Sequence, residues 1–120
     1  MWYTDFVIEM DYRFLTVSVD DRWVFSFRGT EGFLFPRSGD VLLQTNRKEV
    51  GLPYTLRPDD RAKHVLIIVK DQAVALFIND EPVYYGNLPA GFKNGEANWF
   101  SYGPTIAFDN FKIWNLNDLP

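Results

Sequence analysis

Hydrophobic and polar residues alternate along most of this chain. From Asp5 to Phe14, Phe6, Ile8, Met10, Tyr12 and Phe14 recur at every second position, with Val7, Glu9, Asp11 and Arg13 between them. Successive side chains of a strand point to opposite faces, so the pattern predicts a strand with one buried and one solvated face. Arg22 to Arg28 repeats it: Trp23, Phe25 and Phe27 alternate with Arg22, Val24, Ser26 and Arg28. Gly29 and Gly32 interrupt the pattern, and Phe33-Leu34-Phe35 runs into Pro36. Asp40 to Thr45 reads as a short strand, Val50 to Pro53 as a bend, and Tyr54-Thr55-Leu56 as a further strand stopped by Pro58-Asp59-Asp60.

Lys63 to Val69 and Ala73 to Ile78 are apolar strands joined through Lys70-Asp71-Gln72, the strongest hairpin signal in the chain. Asn79-Asp80-Glu81-Pro82 makes the next turn, because Asn and Asp tolerate left-handed backbone. Val83-Tyr84-Tyr85 follows, and one of the two adjacent tyrosines must face outwards. After a loop rich in Gly, Pro and Asn comes the aromatic segment Trp99 to Tyr102. The last strand, Thr105 to Leu116, alternates Ile106, Phe108, Asn110, Lys112 and Trp114 with Ala107, Asp109, Phe111 and Ile113, and Trp114 is expected in the core. No segment sustains a helical period. Roughly eight to ten short strands with turn residues between them predict an all-β sandwich or barrel. It is expected to be a single domain over residues 1–120, with its core in 3–116.

Composition narrows the chemistry. The absence of Cys excludes disulfides, thiolate zinc sites and a thiol nucleophile. A single His argues against His-rich metal sites and against a Ser-His-Asp triad. The net charge of −4 makes the chain a poor candidate for binding a phosphate backbone, so nucleic acid is not an expected partner. No basic-then-apolar leader opens the chain. The apolar run Val65 to Val69 ends at Lys70-Asp71-Gln72, far short of the ~20 residues of a membrane span. The compartment stays open, with an extracellular or cell-surface place favoured. The 11 Phe, 6 Tyr and 4 Trp exceed ordinary usage, and some are candidates for a binding face.

Three stretches resemble a known family. They are His64 to Val83, the closing Ile106-Ala107-Phe108-Asp109-Asn110-Phe111-Lys112-Ile113-Trp114, and Asp5 to Glu9 taken with Val24 to Arg28. Together they are similar to concanavalin A-like (laminin G-like) jelly-roll domains, in particular the bacterial modules related to 3-keto-disaccharide hydrolase domains. In that family a "vNg" turn follows a hairpin, and an "FDNf-v" strand closes the domain. Here the turn is Asn79-Asp80, with Asp where Gly is usual. The resemblance implies an antiparallel jelly-roll β-sandwich. Such domains usually begin with a further strand, whereas this chain starts almost directly at Asp5. That implies a strand edge left open at the N-terminus, with two alternatives: the remaining strands suffice, or a neighbouring copy of the chain covers the edge as a homo-oligomer.

Laminarinase-type enzymes of this fold carry two carboxylates on one strand as Glu-x-Asp-x-(x)-Glu. Glu9-Met10-Asp11 begins that pattern, but Tyr12-Arg13-Phe14 supplies no second Glu. A retaining glycosidase needs two carboxylates ~5–5.5 Å apart, so no catalytic residue is assigned and the chain reads more as a binder than an enzyme. His64 reads as a capping or surface residue. If the first two strands are neighbours, Glu9, Asp11, Arg13, Ser26 and Arg28 share one outer face. The resemblance places its "ffR" arginine, Arg28, and the strand carboxylates on the concave sheet. Tyr85, Trp99 and Tyr102 are candidate aromatic platforms for a sugar ring. Asp109 and Asn110, helped by Asp5, are candidate oxygen ligands for Ca²⁺, the one cofactor considered. The alternative for this pair is a hydrogen bond that fixes register. The leading reading is a non-catalytic carbohydrate-binding, lectin-like module within a larger protein or assembly. A structural protein–protein interaction module or assembly subunit is the alternative, and a glycoside-acting hydrolase comes third.

Overall fold

The computed structural model describes residues 5–15, 22–27, 31–36, 39–45, 48–56, 61–87, 98–102 and 106–115. Ten strands account for almost all of them: β1 Phe6–Phe14, β2 Arg22–Phe27, β3 Glu31–Pro36, β4 Gly39–Thr45, β5 Lys48–Leu56, β6 Lys63–Lys70, β7 Ala73–Ile78, β8 Glu81–Asn87, β9 Asn98–Tyr102 and β10 Ile106–Asn115. They form two five-stranded antiparallel sheets, ordered β10-β1-β6-β7-β8 and β5-β4-β3-β2-β9. The fold is a jelly-roll β-sandwich of the concanavalin A-like kind.

The inner faces are the period-two sets. Phe6, Ile8, Met10 and Tyr12 of β1 meet Trp23, Phe25 and Phe27 of β2, all at most 1% exposed. The aromatic residues interlock there. Trp23 stacks on Phe35 with centroids 4.4 Å apart, and Tyr12 stands edge-on to Trp23 at 5.0 Å. Such pairs add ~0.5–1.5 kcal/mol each beyond the area they bury. Among the described residues, most of the aromatic rings are therefore core. Tyr84 packs inward against Phe33 while Tyr85 is 79% exposed, as their adjacency requires.

Local turn chemistry sets the hairpins. Ile78 pairs with Glu81, leaving Asn79 and Asp80 as a two-residue loop with φ of 51° and 66°. Two left-handed residues make a type I′ turn, whose twist matches the strands. Asp5, 9% exposed, accepts a 2.8 Å hydrogen bond from the Asp71 backbone N–H and pins the β6–β7 turn to the start of β1.

Three expectations change. Residues 50–56 do not split into a bend and a strand, because β5 is continuous through Pro53. It is an edge strand, where a missing N–H leaves no ladder bond unmade. The strand edge expected at the N-terminus does not exist: β1 lies between β10 and β6, so the C-terminal strand covers it. β1 therefore offers no free edge for another strand to pair with. Finally, β10 does not keep one phase. Glu9 pairs with Lys112 and Asp11 with Asp109, so Asn110 and Phe111 together oppose Met10. This is a β-bulge, with Asn110 at φ 53°. Ile106 and Phe108 pack on the core before it and Ile113 after it, which turns Trp114 outwards to 43% exposure.

A candidate binding cleft on the β1 sheet

The outer face of β10-β1-β6 gathers a polar cluster. Asp11 sits opposite His64 on β6 and Asp109 on β10. Its Oδ1 lies 2.7 Å from His64 Nδ1, and its Oδ2 accepts a 2.7 Å hydrogen bond from Asn110 Nδ2. The other ring nitrogen of His64 lies 3.3 Å from Glu9 Oε1. One imidazole thus spans two carboxylates that alternate along β1. Period two puts Glu9 and Asp11 on the same face, and the antiparallel register slots His64 beside them.

The backbone fixes the partners. His64 N–H donates to Asn79 Oδ1 at 2.9 Å, and His64 O accepts from Asn79 N–H at 2.8 Å. Asn110 reaches Asp11 through the bulge, whose extra residue turns onto the outer face an amide that strict alternation would have placed with Ile106. Asp109 Oδ1 closes the device by accepting the Asn110 N–H at 2.8 Å. The Asn110 hydrogen bond, then the His64 bond, hold the Asp11 carboxyl below its ordinary range, against partial burial; charge on His64 and Lys112 adds to the same effect.

Beside this cluster opens a cleft of about 630 Å³, lined by Asp11, Arg13, Arg61, Ala62, Asp109 and Asn110 among others. Carboxylates, an amide, guanidinium groups and two alanines are among its lining. Among the described residues no three His, Asp or Glu side chains are arranged to hold a metal ion. Of the candidate calcium ligands, Asp109 accepts the Asn110 N–H, Asn110 donates to Asp11, and Asp5 accepts the Asp71 N–H.

The structure brings together only some of the residues singled out from sequence. Glu9, Asp11 and Arg13 share the cleft face. Ser26 does not join them, because β1 and β2 lie in different sheets whose inner faces meet; its outer face looks the opposite way. Arg28 lies outside the described residues. Trp99 and Tyr102 lie on β9 in the second sheet, and their side chains fall outside the described residues. Tyr85 shares the β1 sheet but stands three strands away, about 14 Å at ordinary strand spacing. It ends an apolar row that crosses the whole outer face, Trp114–Val7–Ile68–Ala75–Tyr85. Sequence reasoning missed His64 as the hub and Asn110 as the partner of Asp11. Spacing along the chain holds no signal for contacts 53 and 99 residues apart.

No protein-family model matches the chain, and no curated protein matches it in sequence. Solved structures do match in shape. The carbohydrate-binding module CBM66 from Bacillus subtilis superposes with a TM-score of 0.70 at 15% identity, over 94% of this chain and 76% of that one. Sheep galectin-11 in complex with glycerol gives 0.57 at 14% identity, over 88% of this chain and 89% of that one. A structure of botulinum neurotoxin type C, whose cell entry depends on interaction with two ganglioside molecules, gives 0.59 at 10% identity, over 94% of this chain and 32% of that one. At these identities the likeness is one of fold. Among the described residues no helix is long and apolar enough to cross a membrane.

Proposed function

We propose that this chain is a non-catalytic carbohydrate-binding module whose ligand sits in the cleft beside Asp11. The observation that carries the reading is the fixed placement of Asp11 between Asn110 and His64 on the wall of an open cleft. Sugar hydroxyls are recognised by planar polar groups held in one geometry, because a group already ordered loses little entropy on binding. Asp11 and Asn110 are ordered in this way, and Arg13 and Arg61 line the same cleft with donor groups. The fold is shared with a carbohydrate-binding module and a galectin, which agrees with the reading without fixing it.

The same bonds argue against hydrolysis. A general acid must carry its proton near the working pH. Asn110 and His64 favour the ionised form of Asp11, so Asp11 is poorly suited to deliver one. Glycan-array screening followed by calorimetry tests the proposal. Binding of at least one oligosaccharide, lost in Asp11→Ala and Arg13→Ala, supports it. An array with no bound glycan, or binding untouched by both substitutions, refutes it.

The apolar row on the same outer face favours a second reading, that of a protein–protein module covered by another copy of itself. Trp114 and Tyr85, 43% and 79% exposed, would be its anchors. Light scattering decides: a dimer converted to monomer by Trp114→Lys supports this reading, and a monomer at all micromolar concentrations removes it.

A further inference from the structure

Both ring nitrogens of His64 face carboxylate oxygens, Nδ1 toward Asp11 at 2.7 Å and Nε2 toward Glu9 at 3.3 Å. An ionised carboxylate only accepts hydrogen bonds, so each nitrogen satisfies its partner only as N–H. The hydrogen bond to Asp11 and an attractive contact to Glu9 are satisfied together only by the doubly protonated ring, because neutral imidazole has one N–H and one lone pair. On losing a proton the ring must give up one partner. The geometry decides which. Asp11 makes the shorter contact and is held from its other side by Asn110. Asn79 fixes the His64 backbone on both its N–H and its carbonyl. The proton left on the ring therefore stays at Nδ1, and the Nε2 lone pair then faces Glu9, which repels it.

We propose that His64 is the positioning residue of the cleft and a pH-operated clasp. Charged, it holds Glu9 and Asp11 together; neutral, it holds Asp11 alone and releases Glu9. Lys112, directly opposite Glu9 on β10, is the cation placed to receive the released carboxylate. The other charged groups around the ring are Arg13 on β1, Asp109 on β10, Lys63 on its own strand, Arg61 before it, and Asp80 and Glu81 beyond β7. Glu9 and Asp11 both touch the ring. Asp11 keeps its place in the cleft in both states, so the cleft keeps its shape and loses one neighbouring positive charge as pH rises. Imidazole is the side chain whose charge changes across neutral pH. Control of sugar affinity by this clasp rests on the carbohydrate reading above; the clasp itself does not.

The chain has one His, so its ring signals are unambiguous. Long-range proton–nitrogen spectra from about pH 5 to pH 9 read its tautomer, and side-chain carboxyl carbon spectra read Glu9. The clasp predicts an Nδ1–H tautomer at high pH and a Glu9 signal that moves with the same inflection as the ring. In Glu9→Gln the Nδ1–H tautomer persists at high pH, because the Asp11 contact that holds it is untouched. An Nε2–H tautomer, or a Glu9 signal that stays flat while the ring titrates, overturns the clasp. Methyl glucuronide and methyl galactoside then probe the cleft. The glucuronide should weaken several-fold across the inflection while the galactoside holds constant. A glucuronide affinity equal on both sides overturns control of the cleft. If neither sugar binds at any pH while the ring and Glu9 titrate together, the clasp stands and the carbohydrate reading falls.

Discussion

Replacing Asn110 separates the two things it does. Its backbone sits at φ 53° in the β10 bulge, and its amide donates a 2.7 Å hydrogen bond to Asp11. Asn110→Gly removes the hydrogen bond but suits the backbone, since Gly enters the left-handed region freely. Asn110→Ala removes the same bond and also forces a Cβ into that region. The bond is charge-assisted but partly solvated, so its net worth is about 1 kcal/mol, below the ~1.5–3 of a buried one. The left-handed penalty for a residue with a Cβ is about 1–2 kcal/mol. Glycine is therefore expected to cost about 1 kcal/mol and alanine about 2–3. In an ordinary strand the order is the reverse, with glycine the worse residue. Equilibrium urea unfolding followed by tryptophan fluorescence gives both values. An alanine variant as stable as the glycine variant, or more so, would refute the account of the bulge and of how Asn110 reaches Asp11.

Other substitutions test other parts. Gly32→Ala places a Cβ 2.6 Å from the Phe25 carbonyl oxygen, on backbone that cannot swing aside, and should cost about 1–3 kcal/mol or more by denaturant unfolding. Asp5→Ala removes the acceptor that pins the β6–β7 turn and should lower stability by about 1–2 kcal/mol, read from the unfolding midpoint at constant slope. Acid should weaken the fold partly through Asp11. Its folded carboxyl titrates below the ordinary 3.8, so its contribution is full above that value and is lost as pH falls through the lower one. Asp11→Asn should therefore flatten the acid limb of the stability profile measured by calorimetry, and an unchanged limb would show that the bonds to Asn110 and His64 contribute nothing.

Much of the sandwich is legible in the chain because a strand with one buried face writes itself as alternation. β1, β2 and the β6–β7–β8 hairpins read this way, and Asn79-Asp80 names its own turn. Two local signals mislead. Gly51 and Pro53 look like breakers, yet an edge strand tolerates both. The alternation of β10 reads as unbroken, yet one extra residue at the bulge reverses its phase and carries Trp114 from the expected core to the surface. The site was harder still. Glu9, Asp11 and Arg13 are visible as a polar face, but which strands flank that face depends on pairings far apart in sequence. The same limit made Ser26 look like a neighbour of Glu9, because the first two strands adjoin in sequence and not in a sheet.

The central claim is that the cleft beside Asp11 is where this module takes its ligand. Titrating isotope-labelled protein with an oligosaccharide found on a glycan array, and following backbone amide and arginine side-chain signals, tests it most directly. The account predicts shifts concentrated at Asp11, Arg13, Arg61, Asp109 and Asn110, with the His64 ring responding through Asp11. Shifts centred instead on β2, β3, β4, β5 and β9 would contradict it, because those strands present the opposite face of the sandwich.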